Sequence, residues 1–243
     1  MLSKVRLFSL PPFHLDRTLP SSVGSALDVT TLIDFLPSYL YPRNERIIDQ
    51  WGIAGFSLGG HSTWIAAKAG GAPLVIDNYW PPADLLAVDP RLEIVIPIVG
   101  CPDYLSLMSD RATRRGVDAS DPTYFPPSLV AYVRQYDPVA ALSPSSHNTH
   151  TAHSTSFNAA QTASTSSTHP VASNPFLGKK ILAIAGGKDP LVPWQFSAPF
   201  FEQLLYVGSD GVKENFIDED AAHEWTEAMG ERMAQFVERW CLL

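Results

Sequence analysis

Residues 51–61 read Trp-Gly-Ile-Ala-Gly-Phe-Ser-Leu-Gly-Gly-His, a pattern that predicts a strand, a tight turn and a helix in succession. The first six residues are apolar enough for a short buried strand, and residues 61–69 predict a helix that ends at two glycines. The pattern Gly-x-Ser-x-Gly lies between them. A serine on such a strand-to-helix turn is lifted above the edge of a sheet. The pattern therefore predicts Ser57 as a nucleophile.

The same turn predicts an oxyanion donor. The helix after the serine directs its first amide, that of Leu58, at the place where negative charge would develop, so Leu58 is predicted to stabilise it. Gly55 and Gly59 flank the serine, and we expect both to be required because a sharp turn leaves no room for side chains. The alternative interpretation is a glycine-rich turn that contains a serine by chance.

A serine hydroxyl is a weak nucleophile until a base accepts its proton. His223 is predicted to be that base, because it lies between the last predicted strand and the C-terminal helix. A loop at that place opens at the carboxyl end of the sheet. The alternative is His61, four residues after the serine. That position lies within the predicted helix, so we expect His61 to have a structural role.

An imidazole base needs a carboxylate that holds its tautomer and stabilises its charged form. Asp189 follows the predicted strand 179–185 through Gly-Gly-Lys, and the order serine, aspartate, histidine is the order that enzymes with this turn carry. Asp103 is a competing acid because it also follows a strand. The acidic residues 218–220 are too close to His223 in sequence to reach the far nitrogen of its ring, and we expect them to be solvated.

The other predicted elements alternate between strand and helix, which indicates an α/β fold with a doubly wound, mostly parallel sheet. One predicted helix has Ser25 as its cap, and the last helix has an apolar stripe that includes Trp225. Pro97 interrupts the second strand, because proline donates no hydrogen bond. The predicted helices are 25–36, 61–69 and 224–240, and the predicted strands are 51–56, 92–99, 179–185 and 212–217. We expect a single domain, residues 1–243.

Two segments interrupt this alternation. Residues 104–142 are rich in proline and tyrosine and are predicted to form helices and loops over the edge of the sheet, as a lid would. In residues 143–174, fifteen of thirty-two residues are Ser or Thr and none is charged, so we expect a disordered insertion that is dispensable for folding. The insertion contains His147, His150 and His153. Composition explains these histidines better than a metal site, and no metal is predicted.

Length and charge exclude several classes of protein. The chain has 243 residues, 45% of them hydrophobic, and a net charge of −8, without a run of basic residues. A nucleic-acid partner is therefore not expected, and no apolar run is long enough to span a membrane. Cys101 and Cys241 are far apart in sequence, and we expect free thiols in a cytoplasmic protein. The alternative for the N-terminus is a mitochondrial presequence.

The chain resembles the α/β-hydrolases and, among them, an uncharacterised fungal group. The resemblance rests on the strand–turn–helix around Ser57 and on three flanking segments, 100–103, 174–180 and 192–194. It extends from about residue 26 to the C-terminus, apart from the insertion. The resemblance implies an α/β-hydrolase fold, hydrolase activity on an unassigned substrate, and no cofactor.

The chain departs from that family before the serine. The family places three or four strands ahead of this turn, whereas here 50 residues precede the strand, and residues 4–10 could supply one strand at most. We therefore expect an N-terminally truncated relative in which the upstream strands are largely missing; the alternative is that another segment substitutes for them. The loop that usually supplies the second oxyanion donor has no counterpart in the sequence. We expect slow turnover, together with low solubility or a homodimer that covers the open edge of the sheet.

Together these features predict a serine hydrolase that cleaves a small ester or thioester through an acyl-enzyme on Ser57. Its expected partner is a small-molecule acyl substrate. A serine peptidase of prolyl-oligopeptidase type is the alternative among enzymes. A non-catalytic or degenerate protein with a hydrolase fold is the alternative from another class.

Overall fold

A computed structural model describes residues 15–68, 91–142 and 174–241. Within them, four strands form one parallel sheet in the order β1-β2-β3-β4. The strands are β1 (Trp51–Phe56), β2 (Leu92–Ile98), β3 (Lys180–Gly186) and β4 (Val212–Asp218). The α-helices are α1 (Leu15–Leu40), α2 (Leu58–Ala67), α3 (Tyr104–Arg114), α4 (Pro127–Tyr136), α5 (Pro138–Leu142) and α6 (Glu227–Cys241). A 3₁₀ turn at Trp194–Phe196 and a π turn at Phe200–Leu204 lie between β3 and β4.

Helices cover both faces of this sheet. Ile94, Ile96 and Ile98 alternate along β2 towards one face, where they join a buried cluster with Phe236 of α6. Val95 belongs to a second cluster that contains residues of α2 and of the π turn. The strand is therefore buried on both sides, as its continuous apolar sequence predicts. A parallel sheet flanked by helices is confirmed for the described residues.

The interruption of β2 by Pro97 is visible in the pairing with β3. The paired residues are Ile94 with Lys180, Val95 with Ile181, and then Ile98 with Ile184. The register resumes at the end of the strand, where the amide of Val99 donates to the carbonyl of Ile184 over 2.8 Å. The gap surrounds Pro97 because proline has no N–H group to donate to the ladder. The predicted strand is correct, and its pairing with β3 is interrupted only around Pro97.

Helix α1 is longer than the predicted helix 25–36. Val23, Ala26 and Ile33 are buried on one face and belong to the same apolar cluster as Ile65 of α2. This apolar face begins before Ser25, so the helix continues in that direction and Ser25 lies inside it. The prediction that Ser25 caps the helix is wrong.

Helix α6 begins later than predicted, and this removes Trp225 from its apolar stripe. The hydroxyl of Thr226 accepts a hydrogen bond from the amide of Met229 at 3.2 Å, the geometry of a helix cap. Trp225 precedes this cap and is 46% exposed, whereas Met229 and Phe236 are buried. The predicted place of Trp225 in the stripe is wrong because a helical period applies only within the helix.

Residues 104–142 fold as α3, α4, α5 and their connecting loops. Leu107 and Met108 of α3 and Val133 of α4 are buried in one apolar cluster with residues of α1 and α2. The predicted helices are therefore present and share an apolar cluster with α1 and α2. The role of this segment as a lid stays a prediction. The predicted insertion at 143–174, apart from Asn174, and the predicted upstream strand at 4–10 lie outside the described residues.

Close backbone contacts explain which glycines the turn after β1 requires. A Cβ atom at Gly55 would overlap the carbonyl of Gly59, and one at Gly60 would overlap the backbone of β2 near Gly100. A Cβ atom at Gly59 would meet nothing within 4 Å. The expectation that Gly59 is sterically required is therefore wrong, because its hydrogen atoms point into open space.

Two alanine substitutions separate these positions. Gly55→Ala should lower the free energy of unfolding by about 3 kcal/mol, because β1 and α2 must move apart to admit a methyl group. Gly59→Ala should leave it unchanged or raise it by up to about 1 kcal/mol, since alanine favours the helix. Urea unfolding followed by circular dichroism measures both. Equal destabilisation by the two substitutions would contradict the conclusion that Gly55 is crowded and Gly59 is not.

Candidate active site

Ser57 occupies the single residue between β1 and α2, and its backbone is held in an uncommon conformation. Its φ angle is +55°, in the left-handed region that residues with side chains rarely adopt. Its amide donates to the carbonyl of Ile98 over 2.9 Å, and its carbonyl accepts from the amide of His61 over 3.1 Å. Such strain costs about 1–3 kcal/mol and persists only where neighbouring contacts determine it. Here those contacts come from β2 and α2.

Leu58 is the first residue of α2. The amides of the first helical turn have no acceptor within their own helix, and the role of Leu58 as an oxyanion donor stays a prediction. The side chain of Leu58 is 40% exposed, and that of Phe56 on the other side of the serine is 39% exposed. The ring of Phe56 lies beside His223, with 5.7 Å between the ring centroids.

His223 lies on the loop between β4 and α6, three strand positions from β1. At about 4.8 Å between neighbouring strands, that separation is about 14 Å, so the loop must cross the ends of β2 and β3. Asp218 stabilises the base of this loop, because its carboxylate accepts a hydrogen bond of 2.6 Å from the hydroxyl of Thr226. His223 Nε2 then lies 2.7 Å from Ser57 Oγ.

Asp189 follows β3 and contacts the other ring nitrogen of His223. Its Oδ2 lies 2.7 Å from His223 Nδ1. Its Oδ1 accepts hydrogen bonds from the amides of Leu191 and Val192, at 2.8 and 2.9 Å. The side chain has no exposed surface. Because an ionised carboxylate only accepts hydrogen bonds, the contact with Asp189 assigns the donated proton to Nδ1 of His223.

Asp103, the competing acid, is engaged elsewhere. Its carboxylate caps α3 by accepting hydrogen bonds from the amide and the hydroxyl of Ser106, at 3.0 and 2.7 Å. The structure therefore brings together Ser57, His223 and Asp189, and it places Asp103 at a helix N-terminus. Of the acidic loop residues 218–220, Asp220 is exposed and forms an ion pair with Lys188.

His61 is buried within α2, away from Ser57 Oγ. Its Nδ1 lies 3.0 Å from both the amide nitrogen and the carbonyl oxygen of Cys101, and its ring packs edge-on against Tyr104. Burial lowers the pKa of His61 to about 4, so the ring is neutral at pH 7. These contacts join α2 to the segment after β2, which agrees with the structural role predicted for His61.

Both cysteines are free thiols, as expected. Cys101 is buried, and burial raises the pKa of its thiol well above the usual value. No group of three or more residues that could bind a metal ion is present in the described ranges. His147, His150 and His153 of the predicted insertion lie outside those ranges. No helix in the described part of the chain is long and apolar enough to cross a membrane.

One buried carboxylate was not found by sequence reasoning. Asp137 lies between α4 and α5, is 2% exposed, and accepts hydrogen bonds from the first amides of α3, those of Tyr104 and Leu105. Burial raises the pKa of Asp137 to about 8. Lys68, at the end of α2, donates to the carbonyl of Gln135 nearby. The only sequence signal at this position is the dipeptide Asp-Pro before a short helix. It predicts a local turn and does not predict that Asp137 accepts hydrogen bonds from the start of α3.

Comparisons with known proteins add little to this geometry. No family model matches the chain, and no curated protein matches it. Among solved structures, the chain is similar to one described as "Truncated form of carbohydrate esterase from gut microbiota", with a TM-score of 0.45 and 15% sequence identity. The alignment covers 95% of this chain and 70% of that one.

Proposed function

We propose that this chain is a serine hydrolase of the α/β-hydrolase type that cleaves a small ester or thioester. The observation that carries the proposal is the pair of 2.7 Å contacts that connect Ser57 Oγ through His223 to Asp189. A serine on a strained turn, a base within hydrogen-bond distance and a carboxylate on the far nitrogen form the catalytic arrangement of nucleophilic acyl transfer.

In the proposed reaction, Ser57 Oγ attacks the carbonyl carbon of the substrate while His223 Nε2 accepts the hydroxyl proton. The carbonyl oxygen takes the negative charge and accepts a hydrogen bond from the amide of Leu58. His223 then protonates the leaving alkoxide or thiolate, which departs and leaves an acyl-enzyme. A water molecule, deprotonated by His223, attacks this ester; the bond between the acyl carbon and Ser57 Oγ then breaks, His223 returns the proton to Oγ, and the carboxylic acid leaves.

The contacts of Asp189 support this sequence of proton transfers. Because Nδ1 of His223 donates to Asp189, the lone pair of the neutral ring lies on Nε2, which faces the serine hydroxyl. The negative charge of Asp189 stabilises the imidazolium that forms during attack. The exposed apolar side chains of Phe56 and Leu58 are suited to an uncharged acyl group beside the serine.

A fluorophosphonate probe tests the proposal, since it reacts covalently only with an activated serine. We expect one equivalent of label, mapped to the peptide that contains Ser57. A panel of chromogenic esters of increasing acyl length, with a matched amide, then separates an esterase from a peptidase. An unlabelled folded protein would refute catalysis and favour a binding protein. A label on another serine would refute the assignment.

A further inference from the structure

The orientation of Asp189 depends on the three residues after it. Asp189 Oδ1 accepts from the amides of Leu191 and Val192, and this leaves Oδ2 for His223. We call residues 189–192 the acid loop. Rotation of the peptide groups 190–191 and 191–192 would release Oδ1 and let the carboxylate turn away from the imidazole ring. The geometry of the proposed catalytic site therefore depends on the residues that hold the acid loop in place.

Two arginines of α3 support the acid loop from the outside. Arg111 donates to the carbonyl oxygen of Leu191 through both Nε, at 3.1 Å, and Nη2. Arg114, one helical turn later, donates through Nη1 to the carbonyl oxygen of Pro190 at 3.1 Å. An ion pair with Asp110 on the same helix orients the Arg114 side chain. The loop is therefore fixed through the carbonyls of two successive residues.

The side chain of Leu191, whose carbonyl Arg111 contacts, contributes little packing to the acid loop. Leu191 is 51% exposed, whereas Val192 is buried in the apolar cluster with α1 and α3. The peptide group between Leu191 and Val192 donates to Asp189 through its N–H and accepts from Arg111 through its carbonyl oxygen. The fixed fork of a guanidinium group holds a carbonyl in a defined direction, which an ammonium group does less well.

We infer that Arg111, assisted by Arg114, is a positioning residue that holds the acid loop so that Asp189 faces His223. This inference rests on the proposed function, since it gives Asp189 a catalytic role. The hydrogen bonds of Arg111 and Arg114 to the acid loop end on Leu191 and Pro190, and the positive charge of Arg111 also attracts the Asp189 carboxylate. The same contacts assign a function to α3, which connects the segment after β2 to the proposed site.

A double-substitution cycle tests the inference. Arg111→Met should lower kcat by about tenfold to a hundredfold with KM little changed, because a small misplacement of a catalytic group affects the transition state most. In the Asp189→Asn background the same substitution should change kcat by less than about twofold, because residues that act through one group are not additive. Arg111→Lys, which keeps one donor, should restore part of the loss. Arg134→Met removes an exposed arginine from α4 and should match the unsubstituted protein.

A measurement that does not require turnover accompanies the cycle. The His223 Nδ1 proton bonded to Asp189 should give a low-field proton resonance, which Arg111→Met should weaken or shift while the melting temperature stays close to that of the Arg134→Met control. If Arg111→Met fails to fold, Arg111→Lys is compared in the same way. An unchanged resonance with unchanged kcat would overturn the inference and leave the proposed function standing. Equal losses from Arg111→Met in both backgrounds would also overturn it. A protein that shows the resonance but no labelling of Ser57 would instead refute the proposed function.

Discussion

Replacing Ser57 with alanine is expected to lower kcat by about a millionfold and to abolish fluorophosphonate labelling. The hydroxyl oxygen is the atom that forms the acyl bond in the proposed reaction, and it lies 2.7 Å from His223 Nε2, the proposed base. The residual rate should come from substrate binding and from the amide of Leu58.

The fold should survive this substitution. Alanine keeps the Cβ atom of Ser57, and the backbone hydrogen bonds from the amide to Ile98 and to the carbonyl from His61 do not involve the hydroxyl. The melting temperature should therefore be close to that of the unsubstituted protein. Ser109→Ala is a suitable control, since it removes a hydroxyl that bonds only to the preceding turn of α3. Labelling that persists after Ser57→Ala would refute the assignment of the nucleophile.

Replacing Asp189 with asparagine is expected to lower kcat by about ten-thousandfold. The amides of Leu191 and Val192 both donate to Oδ1, so the carbonyl oxygen of an asparagine must take that place. Its NH₂ group then faces His223 Nδ1 as a donor. The imidazole must accept there, which moves its proton to Nε2 and leaves no lone pair for the proton of Ser57.

Asp103→Asn is the matched control for the acid. Asparagine caps helices about as well as aspartate, so its bonds to Ser106 and the N-terminus of α3 should persist. The kcat of the Asp103→Asn variant should stay within about threefold of that of the unsubstituted protein, and its free energy of unfolding should change by less than about 1 kcal/mol. Steady-state kinetics on one chromogenic ester compares the two variants. Loss of activity in Asp103→Asn alone would show that the acid lies after β2.

The fold was largely predictable because its signals are local. Each predicted strand and helix in the described ranges is present, since hydrophobic periodicity depends on neighbouring residues. The ends were less predictable. Ser25 lies inside α1 and Trp225 lies before α6, because packing against α2 and the cap at Thr226 decide where those helices begin. Gly55 and Gly59 were also not distinguishable from the sequence, because only three-dimensional contacts show that Gly55 is crowded and Gly59 is not.

The sequence by itself determined the order of strands and helices, the turn that carries Ser57, and the short set of residues from which a base and an acid could come. The sequence favoured Asp189 over Asp103 because of the Gly-Gly turn before it, but both residues follow a strand, and only the tertiary structure shows which of them contacts His223. Asp189 follows β3, the neighbour of β4, and so lies beside the loop that carries His223. The tertiary structure alone also shows the contact of Arg111 with Leu191, because a hydrogen bond between residues 80 positions apart produces no recognisable pattern in the sequence.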